Sequence, residues 1–155
     1  MVDGVIDVAK VKSTKKRTVK KKDYVFVTGK RKRAVARAKV EAGSGKIKIN
    51  SMPFDLWGNE VLRLWIKEPL ILAGEVANKV NIGINVKGGG IAGQAEAIRV
   101  AIARGLTLFS KDKKLREKFL KYDRNLLVYD PRRTEPHKPS RSRKGARRHK
   151  QRSKR

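Results

Sequence analysis

A chain of 155 residues with 41 Lys and Arg against 14 Asp and Glu has a formal net charge of +27. A free globular domain would experience that excess as self-repulsion, so a polyanionic partner is implied, nucleic acid before an anionic membrane surface. The absence of cysteine excludes disulfides and Cys-ligated zinc or iron–sulfur centres. No stretch approaches the roughly 20 apolar residues needed to cross a bilayer.

The charge is unevenly spread along the chain. Residues 1–22 hold eight basic and two acidic groups, and no apolar run of the secretory type follows Lys10, Lys12, Lys15, Lys16 and Arg17. This segment reads as a basic N-terminal extension, disordered on its own. A cytoplasmic protein without a membrane partner is expected. Residues 23–130 hold 21 basic and 11 acidic groups and contain the apolar periodicity of a folded domain.

Within that domain Tyr24 to Thr28 is a short β-rich run. Ala34, Ala36, Ala38 and Val40 alternate with Val35, Arg37 and Lys39 at the period of a strand. Gly43-Ser44-Gly45 predicts a turn and Ile47 and Ile49 a further strand, the whole a hairpin with a basic outer face. Residues 53–74 predict helix in two pieces, broken at Gly58 and Pro69. Val80, Ile82, Ile84 and Val86 predict a strand with one buried face. After three glycines, a helix from Ile91 to Leu108 sets Ile91, Ala95, Ile98, Ile102 and Leu106 on one face. Leu115, Phe119 and Tyr122 predict another short helix. The expected fold is α/β (α+β), a small sheet covered by two or three helices.

Residues 131–155 hold 12 basic groups and one acidic, with Ala146 the only aliphatic residue. Such a segment cannot bury enough apolar area to offset its ordering entropy, so it reads as a long basic tail, disordered alone. Arg outnumbers Lys eight to four there, and the guanidinium fork suits bidentate phosphate contact and stacking on bases. Fully extended, the tail reaches at most about 80 Å.

Two glycine motifs invite a nucleotide-binding reading. Gly88, Gly90 and Gly93 satisfy G-x-G-x-x-G between a strand and a helix, but the acidic partner such a site requires falls at Asp112, where no strand is predicted. A tight strand-to-helix turn, set against a nucleic-acid phosphate, accounts for it better. Gly43-Ser44-Gly45-Lys46 resembles the end of a P-loop, yet Val40 replaces the first glycine and Ile47 the magnesium-holding hydroxyl. His137 and His149 lie in the tail without a carboxylate cluster, so neither a metal site nor general-base chemistry is expected. No cofactor and no catalytic group are predicted. Charge alone would also fit a free DNA-compacting protein.

Three ordered motifs then carry a resemblance. The run Gly29 to Arg37 (GKRKRAVAR), the run Gly88 to Leu106 (GGGIAGQAEAIRVAIARGL) and the run Tyr122 to Pro136 (YDRNLLVYDPRRTEP) resemble the universal ninth protein of the ribosomal small subunit, in its archaeal and eukaryotic branch. The likeness covers roughly residues 26–155. It implies an α/β domain of the type shared with the second domain of the fifth small-subunit protein, with a left-handed βαβ crossover, seated on ribosomal RNA beside neighbouring proteins in the subunit head. The ribosomal-RNA contacts expected are Lys30, Arg31, Lys32, Arg33, Arg37, Gly88, Gly89, Gly90, Arg99, Arg124, Arg132 and Arg133, then Arg141, Arg143, Lys144, Arg147, Arg148, Lys150 and Arg152 along the tail. The resemblance further implies that Ser153, Lys154 and Arg155 touch the anticodon stem-loop of peptidyl-site tRNA. Lys154 stands where archaeal and eukaryotic members usually carry an aromatic residue, which leaves Arg155 the firmer transfer.

Overall fold

The computed structural model describes residues 24–138. Strands β1 (Tyr24–Arg31) and β2 (Ala34–Ala42) lead to β3 (Ile47–Ile49) and β4 (Met52–Pro53), then a 3-10 turn at Phe54–Leu56. Helix α1 (Glu60–Ala73) and the one-turn α2 (Glu75–Asn78) follow, then β5 (Val80–Lys87), α3 (Ile91–Ser110), α4 (Lys113–Tyr122) and a second 3-10 turn at Arg124–Leu126. The strands form one five-stranded sheet in the order β1-β2-β5-β3-β4. Helices cover one of its faces, as expected of the α/β class.

The alternation in β2 and β5 sorts the residues by face. Ala34, Ala36, Ala38, Val40, Val80, Ile82, Ile84 and Val86 all point into the core. Helix α3 lies across β1 and β2, and α1 packs on α3. The alanines of β2 keep the sheet surface low so that α3 can approach. At Gly29 the approach is closest, because a Cβ there would sit 2.0 Å from the Ala97 carbonyl oxygen and 2.7 Å from the Ala101 nitrogen. Ile66, Ile82, Ile98, Ile102, Leu106, Phe119 and Leu126 fill the centre, each burial worth about 1.5–3 kcal/mol.

Three sequence expectations need correction. First, β2 and β3 do not pair. The hairpin is β1–β2, closed at Lys32-Arg33, and β5 is inserted between β2 (antiparallel) and β3 (parallel). The Gly43–Gly45 segment steps over β5 instead, with its Gly43 and Gly45 amides donating to the carbonyls of Lys79 and Val80. The Asn81 side chain accepts from the amides of Ser44 and Lys46 at 3.0 and 3.1 Å, doing the work of a partner strand. Second, Pro69 does not break α1, which runs through it with Ile66, Pro69 and Ala73 buried. An interior proline forfeits one helix hydrogen bond and costs about 3 kcal/mol, so the packing of this face against the core outweighs it. Third, Ile91, set by the helical spacing on one face with Ala95, Ile98, Ile102 and Leu106, is exposed at the start of α3.

Candidate nucleic-acid interface

Among the described residues, no helix covers the second face of the sheet. The residues alternating with the core positions are Tyr24, Phe26, Thr28 and Lys30 on β1, Val35, Arg37, Lys39 and Glu41 on β2, and Asn81, Gly83, Asn85 and Lys87 on β5. Lys48 of β3 joins them through its register with Gly83. Among the described residues, five cations on these strands thus share one surface with one acid, Glu41, which is paired with Lys39 at 2.7 Å. The registers Lys30–Val35–Lys87 and Thr28–Arg37–Asn85 run the charges across strands rather than along one. Tyr24 and Phe26 stand at the outer edge as an edge-to-face pair, centroids 5.1 Å apart, with the Lys39 ammonium 5.3 Å from the Tyr24 ring centre. Cations interleaved with aromatic faces are what phosphates and unstacked bases require.

At one end of this sheet three distant stretches of sequence converge. The hairpin turn places Lys32 at φ +51°, a left-handed conformation costly for a β-carbon-bearing residue. Beside it the loop Gly88–Gly90 folds tightly onto the start of β2. A Cβ on Gly88 would lie 2.7 Å from the Arg33 carbonyl oxygen, and φ is +79°, so this glycine serves the turn rather than a cofactor. The Gln94 side chain donates to the Gly88 carbonyl at 3.1 Å and fastens the loop. Helix α3 starts there with Gly90 as N-cap, no side-chain cap and no acid in its first turn. Its free amides and dipole therefore favour an anion. Between turn, loop and Thr134 lies a cleft of about 420 Å³ whose lining includes Arg31, Lys32 and Arg33, the Gly89–Gly93 stretch and the carboxylate Glu96, which Arg31 neutralises.

The expected contact residues divide into two kinds. Lys30, Lys32, Arg33, Arg37, Arg124 and Arg133 are exposed, and the Arg133 guanidinium lies 5.6 Å from the Tyr129 ring centre. Arg31 and Arg99 are instead enclosed by carboxylates. Arg31 pairs with Glu96 of α3 and, at 2.7 Å, with Asp130. Arg99 pairs with Glu68 of α1 at 2.5 Å and with Asp123 at 3.1 Å, tying α1, α3 and the second 3-10 turn together. Arg132 grips Asp130 through Nε and NH2, and its amide adds a third donor. Those hydrogen bonds from Arg132, with the charges of Arg132 and Arg31 beside them, hold the Asp130 carboxyl at a pKa of about 2, against an ordinary 3.8. Asp130 is thus the clasp that fixes where the tail leaves the domain, next to the hairpin turn. Arg141, Arg143, Lys144, Arg147, Arg148, Lys150, Arg152, Ser153, Lys154 and Arg155 lie outside the described residues, as does the extension 1–22.

The sequence reading gave the hairpin a basic outer face but did not place Lys39, Lys48, Lys87, Tyr24 or Phe26 among the expected contacts. The signal was present as the polar half of each strand alternation, but only the sheet order brings those halves together. Asp112 does not act as a ribose ligand, since it caps α4, accepting from the Lys114 amide at 2.9 Å. Among the described residues no group of three His, Cys, Asp or Glu side chains could hold a metal, and no helix is long and apolar enough to cross a membrane.

Comparison with known proteins gives the same direction from independent grounds. Residues 29–155 match the family described as ribosomal protein S9/S16. The small ribosomal subunit protein uS9 of Methanococcus maripaludis is 49% identical over 129 residues, 83% of this chain and 96% of that protein. That of Pyrobaculum aerophilum is 51% identical over 115 residues, 74% of this chain and 81% of that protein. With the three motifs, the fold and the cationic face in agreement, the chain belongs to the ribosomal protein S9/S16 family, as a structural protein of the small ribosomal subunit and not an enzyme.

Proposed function

We propose that the domain binds ribosomal RNA in the subunit head through the cationic sheet face and the convergence at the hairpin turn, and that its tail runs on to peptidyl-site tRNA. The observation that carries this reading is the placing of Lys30, Arg37, Lys39, Lys48 and Lys87 on one sheet surface that no described element covers. RNA neutralises that surface and releases counterions in proportion to the phosphates contacted. Lys32, Arg33 and the α3 amides around Gly90 form the phosphate seat at the turn, while Arg31 and Arg99 act by positioning. Beyond the clasp, Arg132 and Arg133 begin a run of cations along the sequence, whose charges pair with RNA phosphates. Ser153, Lys154 and Arg155 then meet the anticodon stem-loop as fixed hydrogen-bond donors and charge. No covalent chemistry is required of them.

Two measurements test this. The full chain should remain with small subunits through a high-salt wash, since many contacts made together resist screening better than one. Release of the wild-type chain into the wash would overturn the ribosomal-RNA reading. Deleting residues 153–155 should lower tRNA retention at the peptidyl site without loss of the protein from subunits. Unchanged retention would remove the tRNA contact and leave the RNA-binding domain standing.

A further inference from the structure

Helix α1 presents a surface of different chemistry. Val61, Leu64, Trp65 and Ile71 recur at three- and four-residue steps on the flank and outer side of α1, away from its buried Ile66, Pro69 and Ala73. Leu56 stands just before the helix. Leu56, Val61 and Ile71 are 71%, 68% and 73% exposed. Single exposed apolar residues are ordinary, but five large ones along one short stretch mark an interaction site.

Along this stretch of sequence the charges reverse the pattern of the chain, and Lys118 of α4 donates to the Leu72 carbonyl at 2.7 Å. Residues 54–78 carry Asp55, Glu60, Glu68 and Glu75 against only Arg63 and Lys67, in a protein of net charge +27. Both cations are turned back onto their own loop. Arg63 donates to the Asp55 carbonyl at 2.6 Å, and the Lys67 ammonium lies 5.7 Å from the Phe54 ring centre. Glu68 is taken by Arg99. Asp55, Glu60 and Glu75 remain exposed, with no ion pair among the described residues.

We propose that this side of α1 is a docking surface for a second protein, one whose contact patch is apolar and ringed by Lys or Arg. RNA and anionic lipid would both set phosphates against three carboxylates, with nothing gained by the exposed leucines. A second copy of the chain, packed by a twofold axis, would bring like carboxylates together. A cationic protein partner satisfies both halves of the surface, with Trp65 available as the anchor that such interfaces favour. The surface goes beyond the RNA-binding reading and rests on it only in placing the partner within the same subunit.

The test uses the full chain in purified small subunits. A photoreactive benzoylphenylalanine replacing Leu64 should give light-dependent adducts with one Lys/Arg-rich protein. The double variant Leu64→Asp, Ile71→Asp alters only exposed side chains. It should be outcompeted by wild type for subunit occupancy by about tenfold or more, while the melting temperature and RNA affinity of the purified chain stay unchanged. Adducts with RNA, lipid, a second copy or this chain's own residues would overturn the inference, and so would undiminished occupancy of the double variant. Those results arise in loaded subunits and leave the RNA-binding reading intact. A wild-type chain missing from washed subunits would instead overturn both.

Discussion

The cationic face of the sheet and the outer side of α1 belong to one folded unit and are exposed for different reasons. On the sheet, strand alternation forces every second residue away from the core, and those positions hold Lys30, Arg37, Lys39, Lys48 and Lys87. On α1 the side away from the core holds Val61, Leu64 and Ile71, with Asp55, Glu60 and Glu75 exposed at either end of the stretch. Solvent alone would reward mixed charge on both. One surface is suited to phosphate and the other is adverse to it, so the two exposed faces call for different partners.

The most drastic way to break the comparison is to separate the layers that create it. Gly29→Val would drive a side chain into the Ala97 carbonyl and lift α3 from β1. A loss on the order of 3 kcal/mol or more is expected in urea denaturation, because an overpacked backbone contact cannot relax by a rotamer change. Both surfaces should fail together. A near-neutral Gly29→Val would mean that α3 is not seated as closely as described.

Next in size is the triple variant Arg37→Ala, Lys48→Ala, Lys87→Ala. Each residue is exposed, so the fold should be unaffected. The slope of log affinity for ribosomal RNA against log salt should fall by about 2 to 3, near one per lost phosphate contact. The Leu64→Asp, Ile71→Asp protein should keep the wild-type slope. Equal slopes in all three proteins would erase the distinction between the surfaces.

Arg99 sharpens it further. Arg99→Met leaves Glu68 and Asp123 unpaired in a partly enclosed setting. It should cost about 2 kcal/mol of stability while RNA affinity at low salt stays within about twofold, as expected where no phosphate contact is lost. A large affinity loss without destabilisation would make Arg99 a contact residue after all. Smaller still, Lys32→Gly should relieve the left-handed strain at the turn, raising stability by up to about 1 kcal/mol, yet lower the salt slope by about 1. If stability falls instead, the turn is not strained at Lys32.

Much of this was legible in the sequence wherever one residue's neighbours in space are its neighbours in chain. The alternation Val80–Val86 and the helical spacing from Ala95 to Leu106 reported their own burial correctly. Pairing was legible only through the rule that adjacent strands associate, and that rule misled at Gly43–Gly45. There Asn81, more than 30 residues on, supplies the hydrogen bonds that let β3 skip past β5. The same limit hid the difference between Arg31 or Arg99 and their exposed neighbours. An arginine in a basic run and an arginine clamped by Glu96 and Asp130 read alike until the fold brings the carboxylates in. Pro69 shows the converse, a correct local rule overridden by tertiary packing.

The smallest predicted effect concerns the clasp joining domain and tail. Asp130 has a pKa of about 2 when folded, below its ordinary 3.8, because Arg132 and Arg31 favour its ionised form. Its contribution to stability is therefore complete above about pH 4 and is lost as pH falls toward 2. Thermal melts of the wild-type chain should decline more steeply across that window than those of Asp130→Asn, which has no proton to take up there. The difference is small because Arg132 is exposed and water screens the pair. It should be accompanied by release of the Thr134 segment from the hairpin turn, visible as faster amide exchange at Arg132 in acid. Parallel melts with unchanged exchange would mean that the tail's point of departure is fixed by the covalent chain alone, and the phosphate seat at Lys32 would then be open to RNA from either side of the tail.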